Sequence, residues 1–164
     1  MFNIKDYIHA LASQNKLCRA LNFKPSTCSG INYIEGMLQE FRSTSNFISV
    51  SDITDGSTVS RSGGWFARRV FTVFILMRYK AGDRNDQEEK LNTCREIYRQ
   101  FLSRMIVDSN ALDNSMVYLN VSDIRKRELG GYFLSGCTGL YLMLSLDEPT
   151  NLQYNEEEWD TTRM

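Results

Sequence analysis

Histidine is almost absent from this chain, which has one, His9, among 164 residues. Serine and cysteine nucleophiles are commonly activated by a histidine base, and here only His9 could take that part. His9 lies on a predicted helix, and its neighbours Ile8 and Leu11 are apolar, so a structural role is expected for it. The scarcity of histidine therefore argues against histidine-based nucleophilic catalysis.

Metal-binding, disulfide and phosphate-binding patterns are also missing. The four cysteines, at positions 18, 28, 94 and 137, form no CxxC pair and no zinc spacing. We expect buried core thiols, because cysteine is among the most frequently buried residue types. No GxGxxG motif or lysine–serine pair accompanies the glycines at 63–64. The sequence predicts no metal site and no cofactor.

The chain lacks a long apolar segment as well. Its longest apolar run, residues 70–77, is interrupted by Thr72 and is far shorter than the roughly 20 residues that span a bilayer. Residues 1–7 show no basic region leading into an apolar stretch, so no secretory signal is predicted. The expected location is the cytoplasm, without a membrane partner.

Charge of either sign is not in excess. The chain has 19 Lys and Arg against 20 Asp and Glu, a formal net charge of -1, which argues against an overall affinity for nucleic acid. Basic residues are instead clustered, Arg68 with Arg69 and Arg125 with Arg127. Such arginines either protect and solvate strand edges or form an interaction rim for acidic groups, and both interpretations remain open.

The helical periodicity that is present predicts three segments. They are a broken helix over 4–21, a shorter helix over 31–41, and a long amphipathic helix from 86 to 107. Asn85 and Glu88 have the spacing of a capping box at the start of the long helix. The apolar stripe predicted for this helix consists of Leu91, Cys94, Tyr98, Phe101, Leu102, Met105 and Ile106.

Strand periodicity alternates with these helices. Strands are predicted near residues 47–50, 65–79, 117–121 and 132–146. Gly136 and Gly139 lie inside the last one, where a bulge or a close backbone approach is expected. Residues 52–64 are predicted to be a polar, mobile loop, and 125–128 a turn. These elements predict an α+β domain over 1–149, with an antiparallel or mixed β-sheet packed against amphipathic helices. An acidic C-terminal tail over 150–164 follows it.

One phrase occurs twice in the chain. Val-Ser-Asp-Ile at 50–53 precedes Gly-Gly and two aromatic residues at 63–66. The same tetrapeptide at 121–124 precedes Gly-Gly and two aromatic residues at 130–133. The repetition predicts an internal helix-strand-strand duplication; the alternative is chance, since Gly-Gly before an aromatic strand is common turn chemistry.

The duplication makes two specific predictions. Trp65 and Tyr132 should occupy equivalent positions after equivalent turns. The Leu-Met pairs at 76–77 and 142–143 should lie at matching depth in their strands.

The strand predicted over 65–79 is apolar on both faces in its middle and therefore needs cover on two sides. Amphipathic helices cover one side, and we expect oligomerisation to cover the other. The candidate subunit-interface residues are Trp65, Arg68, Arg69, Arg125, Arg127 and Trp159. The acidic residues 156–158 of a neighbouring subunit would be a partner for the arginines.

Cys137 is the best candidate nucleophile, because the flanking Gly136 and Gly139 can expose it and supply backbone N–H groups. A thiol with an ordinary pKa of about 8.5 also needs a base or a cationic neighbour. This leaves a small cytoplasmic enzyme or ligand-binding module with a reactive thiol at Cys137 as the alternative function. A nucleic-acid adaptor that uses the two arginine clusters is a third class.

The order of elements and the sequence of the last strand carry a family resemblance. That strand contains Tyr-Phe-Leu at 132–134, Gly-Leu-Tyr-Leu at 139–142 and Leu-Asp-Glu-Pro at 146–149. With the preceding helices and strands, it resembles small tail-completion or tail-terminator-like proteins of tailed bacteriophages and prophages, notably those of gut Bacteroidetes. The resemblance covers nearly the full chain as a pattern, without an invariant motif.

The resemblance implies a structural virion protein and no enzyme. A ring, expected to be hexameric in the particle, would cap or join the tail, with other tail or connector proteins as partners and no catalytic residues. The protein would be cytoplasmic in the bacterial host during assembly and then part of the virion. The long N-terminal helical segment departs from better-known members, which leaves open which joint of the tail it occupies.

Overall fold

The domain is built on a mixed β-sheet, and the N-terminal helices and the long central helix pack on one of its faces. The computed structural model describes residues 1–30, 36, 39, 42–130 and 136–160. In this part of the chain the helices are α1 (Ile4–Gln14), α2 (Lys16–Ala20) and α3 (Arg84–Asp113). The strands are β1 (Lys24–Cys28), β2 (Asn46–Ser51), β3 (Asp55–Arg61), β4 (Gly64–Arg78), β5 (Tyr118–Leu119), β6 (Arg125–Leu129) and β7 (Cys137–Pro149). The predicted α+β class is confirmed; of the helix predicted over 31–41, only residues 36 and 39 belong to the described residues, and both are helical.

The N-terminal helix is broken, as predicted, and Asn15 causes the break. Asn15 has extended dihedral angles (φ -71°, ψ 123°) and ends α1. Its side-chain oxygen accepts a hydrogen bond from the Cys18 N–H at 2.9 Å, so the same residue is the N-cap of α2. The Asn3 side chain caps α1 in the same way, accepting from the Lys5 and Asp6 N–H groups.

Helix α3 begins and packs differently from the prediction. Its N-cap is Asp83, whose side chain accepts from the Asp86 N–H at 3.0 Å, and not the predicted Asn85. The fully buried side chains of α3 are Cys94, Ile97, Phe101 and Met105. Ile97 was not in the predicted stripe, and Ile106 at its other edge is 57% exposed. The helix is therefore rotated towards Ile97, and the predicted stripe was too wide.

The sheet is built around the two long strands β4 and β7, which pair antiparallel from Phe66–Pro149 to Arg78–Cys137. Along the other side of β4, β2 pairs with the second half and β3 with the first half. Along the other side of β7, β5 pairs with the second half and β6 with the first half. The short edge strand β1 joins β2 in parallel and makes the sheet mixed.

This topology places the repeated tetrapeptide at equivalent points. Each half of the sheet has two short strands that pair antiparallel with one long strand, and the tetrapeptide lies between the two short strands in both halves. Local conformation differs, because residues 50–51 complete β2 whereas Val121–Asp123 form a 3-10 turn. The shared strand arrangement supports a duplicated strand unit.

The more detailed expectations of the duplication do not hold equally well. Leu76 pairs with Phe47 of β2, whereas Leu142 pairs with Lys126 of β6, so the two Leu-Met pairs are not equivalent. That prediction was wrong. The comparison of Trp65 with Tyr132 lies outside the described residues.

Three weak strands were missed in the sequence. The predicted loop over 52–64 contains β3, and the predicted turn over 125–128 is β6. Both lack apolar alternation and are exposed apart from Leu129, which is buried at the end of β6, and Val59, which is partly buried in β3. They are strands because β4 and β7 offer them backbone partners. In β1, Pro25 argued against a strand, but proline is tolerated in an edge strand.

Both faces of β4 are buried near its C-terminal end. Phe71, Val73, Ile75 and Met77 join the helix-side core. Phe74 and Leu76 face the other way, are 1% and 0% exposed in the single chain, and pack in a second cluster that includes Phe47 and Cys137. The expectation that oligomerisation covers this face of the strand was therefore wrong for Phe74 and Leu76, since the chain buries them itself.

Candidate functional site

The face of the sheet opposite the helices, which we call the open face, carries the candidate site. Side chains alternate between the faces of a strand, so the open face takes the even-numbered residues of β4 and the odd-numbered residues of β7. At one end Phe74 and Leu76 are buried, whereas Val70 and Thr72 further along β4 remain partly exposed. The open face is thus closed at one end and accessible at the other.

A buried carboxylate organises the accessible end. Asp147 is 2% exposed and lies directly opposite Arg68 in the β4–β7 register. It accepts two hydrogen bonds from Arg68, at 2.7 Å from Nε and 2.9 Å from Nη2. Arg61 of β3 places its Nη2 2.6 Å from the same carboxylate. The guanidinium groups of Arg61 and Arg68 therefore share this one buried carboxylate.

A hollow of about 290 Å³ lies beside this cluster on the open face. It is lined by Gly30, Ser51, Ile53, Asp55, Val70, Thr72, Phe74, Tyr141 and Met143. Its floor comes from β4 and β7 and is largely apolar. The ring centroids of Phe74 and Tyr141 lie 5.6 Å apart. An apolar floor with a polar rim suits a side chain or small group that is itself amphipathic.

Two exposed arginines stand along one side of the hollow. Arg125 pairs with Met143 and Arg127 with Tyr141, so both share the open face with their partners. No carboxylate in the described part of the chain forms an ion pair with either arginine. Their guanidinium groups are available to an anionic ligand or partner.

The structure brings together three of the four predicted arginines. Arg68, Arg125 and Arg127 share the open face, whereas Arg69 points to the helix side. There Arg69 bonds to Glu148 and to the Phe2 carbonyl, and it is absent from the expected rim. The same alternation assigns Trp65, which is 51% exposed, to the helix side of the sheet.

The predicted acidic tail is an exposed arm, and we refer to residues 150–160 as the C-terminal arm. It leaves the sheet at Thr150, whose N–H bonds to the Trp65 carbonyl at 2.9 Å, and every residue from 151 to 160 is exposed. The rings of Tyr154 and Trp159 stack at a centroid distance of 6.4 Å. A 3-10 turn, Glu156–Glu158, closes this pair and presents its acidic side chains to solvent.

Cys137, the predicted nucleophile candidate, is 1% exposed in the cluster with Phe47 and Phe74. Burial raises the pKa of the Cys137 thiol, and the nearby Arg78 only partly opposes this shift. The only histidine, His9, lies on α1, and its Nε2 is 3.1 Å from the Ser26 carbonyl oxygen. The structure does not pair Cys137 with the histidine base that its activation would need.

The other three thiols are buried as well. Burial raises the pKa of Cys18 and of Cys94 to about 12. It raises the pKa of Cys28 as well.

Among the residues that the structure describes, no group of three or more His, Cys, Asp or Glu side chains could hold a metal ion. No helix within the described ranges is long and apolar enough to cross a membrane.

Sequence reasoning missed Asp147 and Arg61, although a signal for Asp147 was present. Arg68 and Arg69 are adjacent on one long strand, and Asp147 and Glu148 are adjacent on the other. Two basic residues on one strand and two acidic residues on its neighbour predict cross-strand ion pairs once the strands are known to pair. The pairing of β4 with β7, 79 residues apart at Arg68–Asp147, was the missing information.

We expect Asp147→Asn to lower the free energy of unfolding by about 2 kcal/mol, because it leaves two guanidinium groups without their carboxylate. The partly exposed arginines regain some hydration, which keeps the loss below that of a fully buried pair. Chemical denaturation of Asp147→Asn, Arg68→Met and the double variant measures the coupling between the two residues. Losses that simply add would contradict a direct Arg68–Asp147 interaction.

No family model matches the chain, and no curated protein matches it in sequence. What the protein does must therefore be inferred from the open face and the C-terminal arm.

Proposed function

We propose that the chain is a structural subunit that assembles with copies of itself into a ring. The resemblance to tail-completion and tail-terminator-like proteins leads us to place this ring, as a hexamer, in the tail of a phage or prophage particle. Other tail or connector proteins would be its further partners. The protein would act in the cytoplasm of the bacterial host during assembly and remain in the virion.

The exposed C-terminal arm is the observation that carries this proposal. Tyr154 and Trp159 are 61% and 64% exposed, and Leu152 between the sheet and this pair is 53% exposed. Large aromatic side chains that are exposed together mark interaction surfaces, and tyrosine and tryptophan are frequent anchors of protein interfaces. An arm with these groups is better suited to another protein surface than to solvent.

The charges of the domain and its arm favour self-association over other partners. The arm carries Glu156, Glu157, Glu158 and Asp160, whereas the open face presents Arg125 and Arg127. Complementary surfaces on one chain allow a head-to-tail contact that repeats from copy to copy and closes into a ring. The enzymatic alternative finds less support, because the Cys137 thiol is buried and its pKa is raised.

Particle composition tests this proposal directly. We expect mass spectrometry of purified phage particles from the strain that encodes the chain to detect it, and electron microscopy of the assembled protein to show rings. Deletion of its gene should change tail length or abolish infectivity. Particles that lack the protein, or a deletion strain with normal tails and normal infectivity, would rule out the virion role.

A further inference from the structure

We propose that the C-terminal arm of one copy binds the open face of a second copy. The stacked Tyr154–Trp159 pair would lie over the hollow, and the acidic turn would face Arg125 and Arg127. This inference rests on the proposed function, in which copies of the chain assemble. It adds the two surfaces that meet and the chemistry by which they recognise each other.

Apolar surface is available on both sides of this contact. The floor of the hollow includes Val70, Thr72 and Met143, all of which remain partly exposed in the single chain. Tyr154 and Trp159 are both more than half exposed on the arm. A buried aromatic side chain removes about 150–250 Å² from water, so the pair supplies substantial contact area.

Charged residues of opposite sign lie beside the apolar groups on the two surfaces. On the arm, the acidic residues 156–158 lie in the turn between Tyr154 and Trp159, next to both rings. On the open face, Arg125 and Arg127 lie next to the floor of the hollow. The opposite rim carries Asp55, which would repel the acidic turn. The arm is therefore oriented with its glutamates towards β6.

The arm is already ordered for binding. The Asn155 side chain accepts a hydrogen bond from the Glu157 N–H at 3.1 Å and caps the turn. The stacked rings of Tyr154 and Trp159 close the other side of the turn. A ligand that keeps its bound shape in solution loses less conformational entropy on association, so this order favours the contact.

A second copy is the occupant that fits, because the arm leaves its own sheet away from the hollow. Thr150 lies beside Trp65 at the end of β7, whereas Met143 lies seven residues back along the strand, about 23 Å at the rise of a β-strand. Within its own chain every arm residue from 151 to 160 stays exposed. A head-to-tail neighbour can present its arm to this hollow while its own hollow receives the next arm.

Cross-linking between singly substituted full-length chains tests the contact. Glu157→Cys in one chain and Arg127→Cys in a differently tagged chain are mixed and oxidised, and the disulfide-linked heterodimer is measured. All four native cysteines are buried and do not compete. Arg84→Cys, at an exposed position at the start of α3, replaces Arg127→Cys as the matched control. We expect several-fold more heterodimer than with the control, and an equal yield would overturn the proposal.

Charge reversal tests the recognition chemistry in assembly. Arg125→Glu with Arg127→Glu should weaken self-association of the full chain about tenfold or more, measured by sedimentation. Lysine at positions 156, 157 and 158 in the same chain should restore it. Arg19→Glu with Arg84→Glu, two exposed positions on the helices, is the control and should leave association unchanged.

The outcomes separate this inference from the proposed function. A ring that forms and tolerates charge reversal on the open face would leave the virion proposal standing and overturn the arm contact. DNA binding of the charge-reversed chain is measured as well. If that chain lost DNA binding while its association and cross-linking stayed unchanged, the two arginines would belong to a nucleic-acid site, and the arm contact would be overturned. Absence of the protein from particles would remove the virion role, while the cross-link would still decide whether the arm binds a second copy.

Discussion

Gly139→Ala is expected to lower the free energy of unfolding by about 4 kcal/mol, a large share of the roughly 5–15 kcal/mol that stabilises a typical domain. Gly139 lies near the Arg78–Cys137 end of the β4–β7 pair, opposite Leu76, with a φ of +147°. A Cβ at this position would lie 2.0 Å from the Ile75 carbonyl oxygen. That oxygen belongs to the buried segment 73–77 of β4, so it cannot move aside without disturbing the core.

Gly63→Ala is the matched control for this prediction. Gly63 also has a positive φ, +81°, but no atom lies within 4 Å of the Cβ that alanine would add. Its expected loss of about 1–2 kcal/mol measures the strain of a left-handed backbone alone. Thermal or chemical denaturation of both variants compares the two effects. Equal losses at the two positions would show that the close approach of β7 to β4 at Gly139 adds nothing to the cost of the left-handed backbone.

Phe101→Ala is expected to lower the free energy of unfolding by about 3–5 kcal/mol, because it leaves a cavity between α3 and the sheet. Phe101 is 2% exposed and belongs to the helix-side core together with Ile97 and Met105. The surrounding strands are held in register by β4 and β7 and cannot collapse fully into the space. Chemical denaturation of the purified variant measures the loss.

Ile106→Ala provides the control on the same helix. Ile106 was predicted to belong to the apolar stripe, but it is 57% exposed. We expect its truncation to change the stability by less than about 0.5 kcal/mol. Comparable losses for Phe101→Ala and Ile106→Ala would mean that the wrong face of α3 has been assigned to the core.

Sequence patterns determined those elements that carry their own local signal. The break at Asn15 was predictable because an asparagine can end one helix and cap the next. The long helix and the two long strands were predictable because apolar periodicity persists over many residues in each. The position of Gly139 inside a strand also predicted a close backbone approach, which the structure confirms.

Elements that depend on distant partners were not predictable in the same way. Strand β6 reads as a charged turn, and β3 as a polar loop, because neither buries an apolar face of its own. They become strands by hydrogen bonding to β7 and β4, contacts that no local window of sequence contains. The start of α3 at Asp83 instead of Asn85 shows the same limit on a smaller scale, since several nearby residues could serve as the cap.

The candidate site also has parts that the sequence predicted and parts that depend on long-range pairing. From the sequence alone, the arginine clusters, the acidic tail and Trp159 were candidates for a subunit interface, and the α+β class of the domain was predicted. Which arginines act together was decided by the tertiary structure, because strand alternation sends Arg68 to the open face and Arg69 to the helix side. The partner of Arg68, the hollow beside Met143 and the burial of Phe74 within one chain followed from the β4–β7 register, which joins residues far apart in the chain. Local sequence patterns specify individual helices, strands and charged clusters, whereas a surface shared by several strands forms only when long-range pairing brings those strands together.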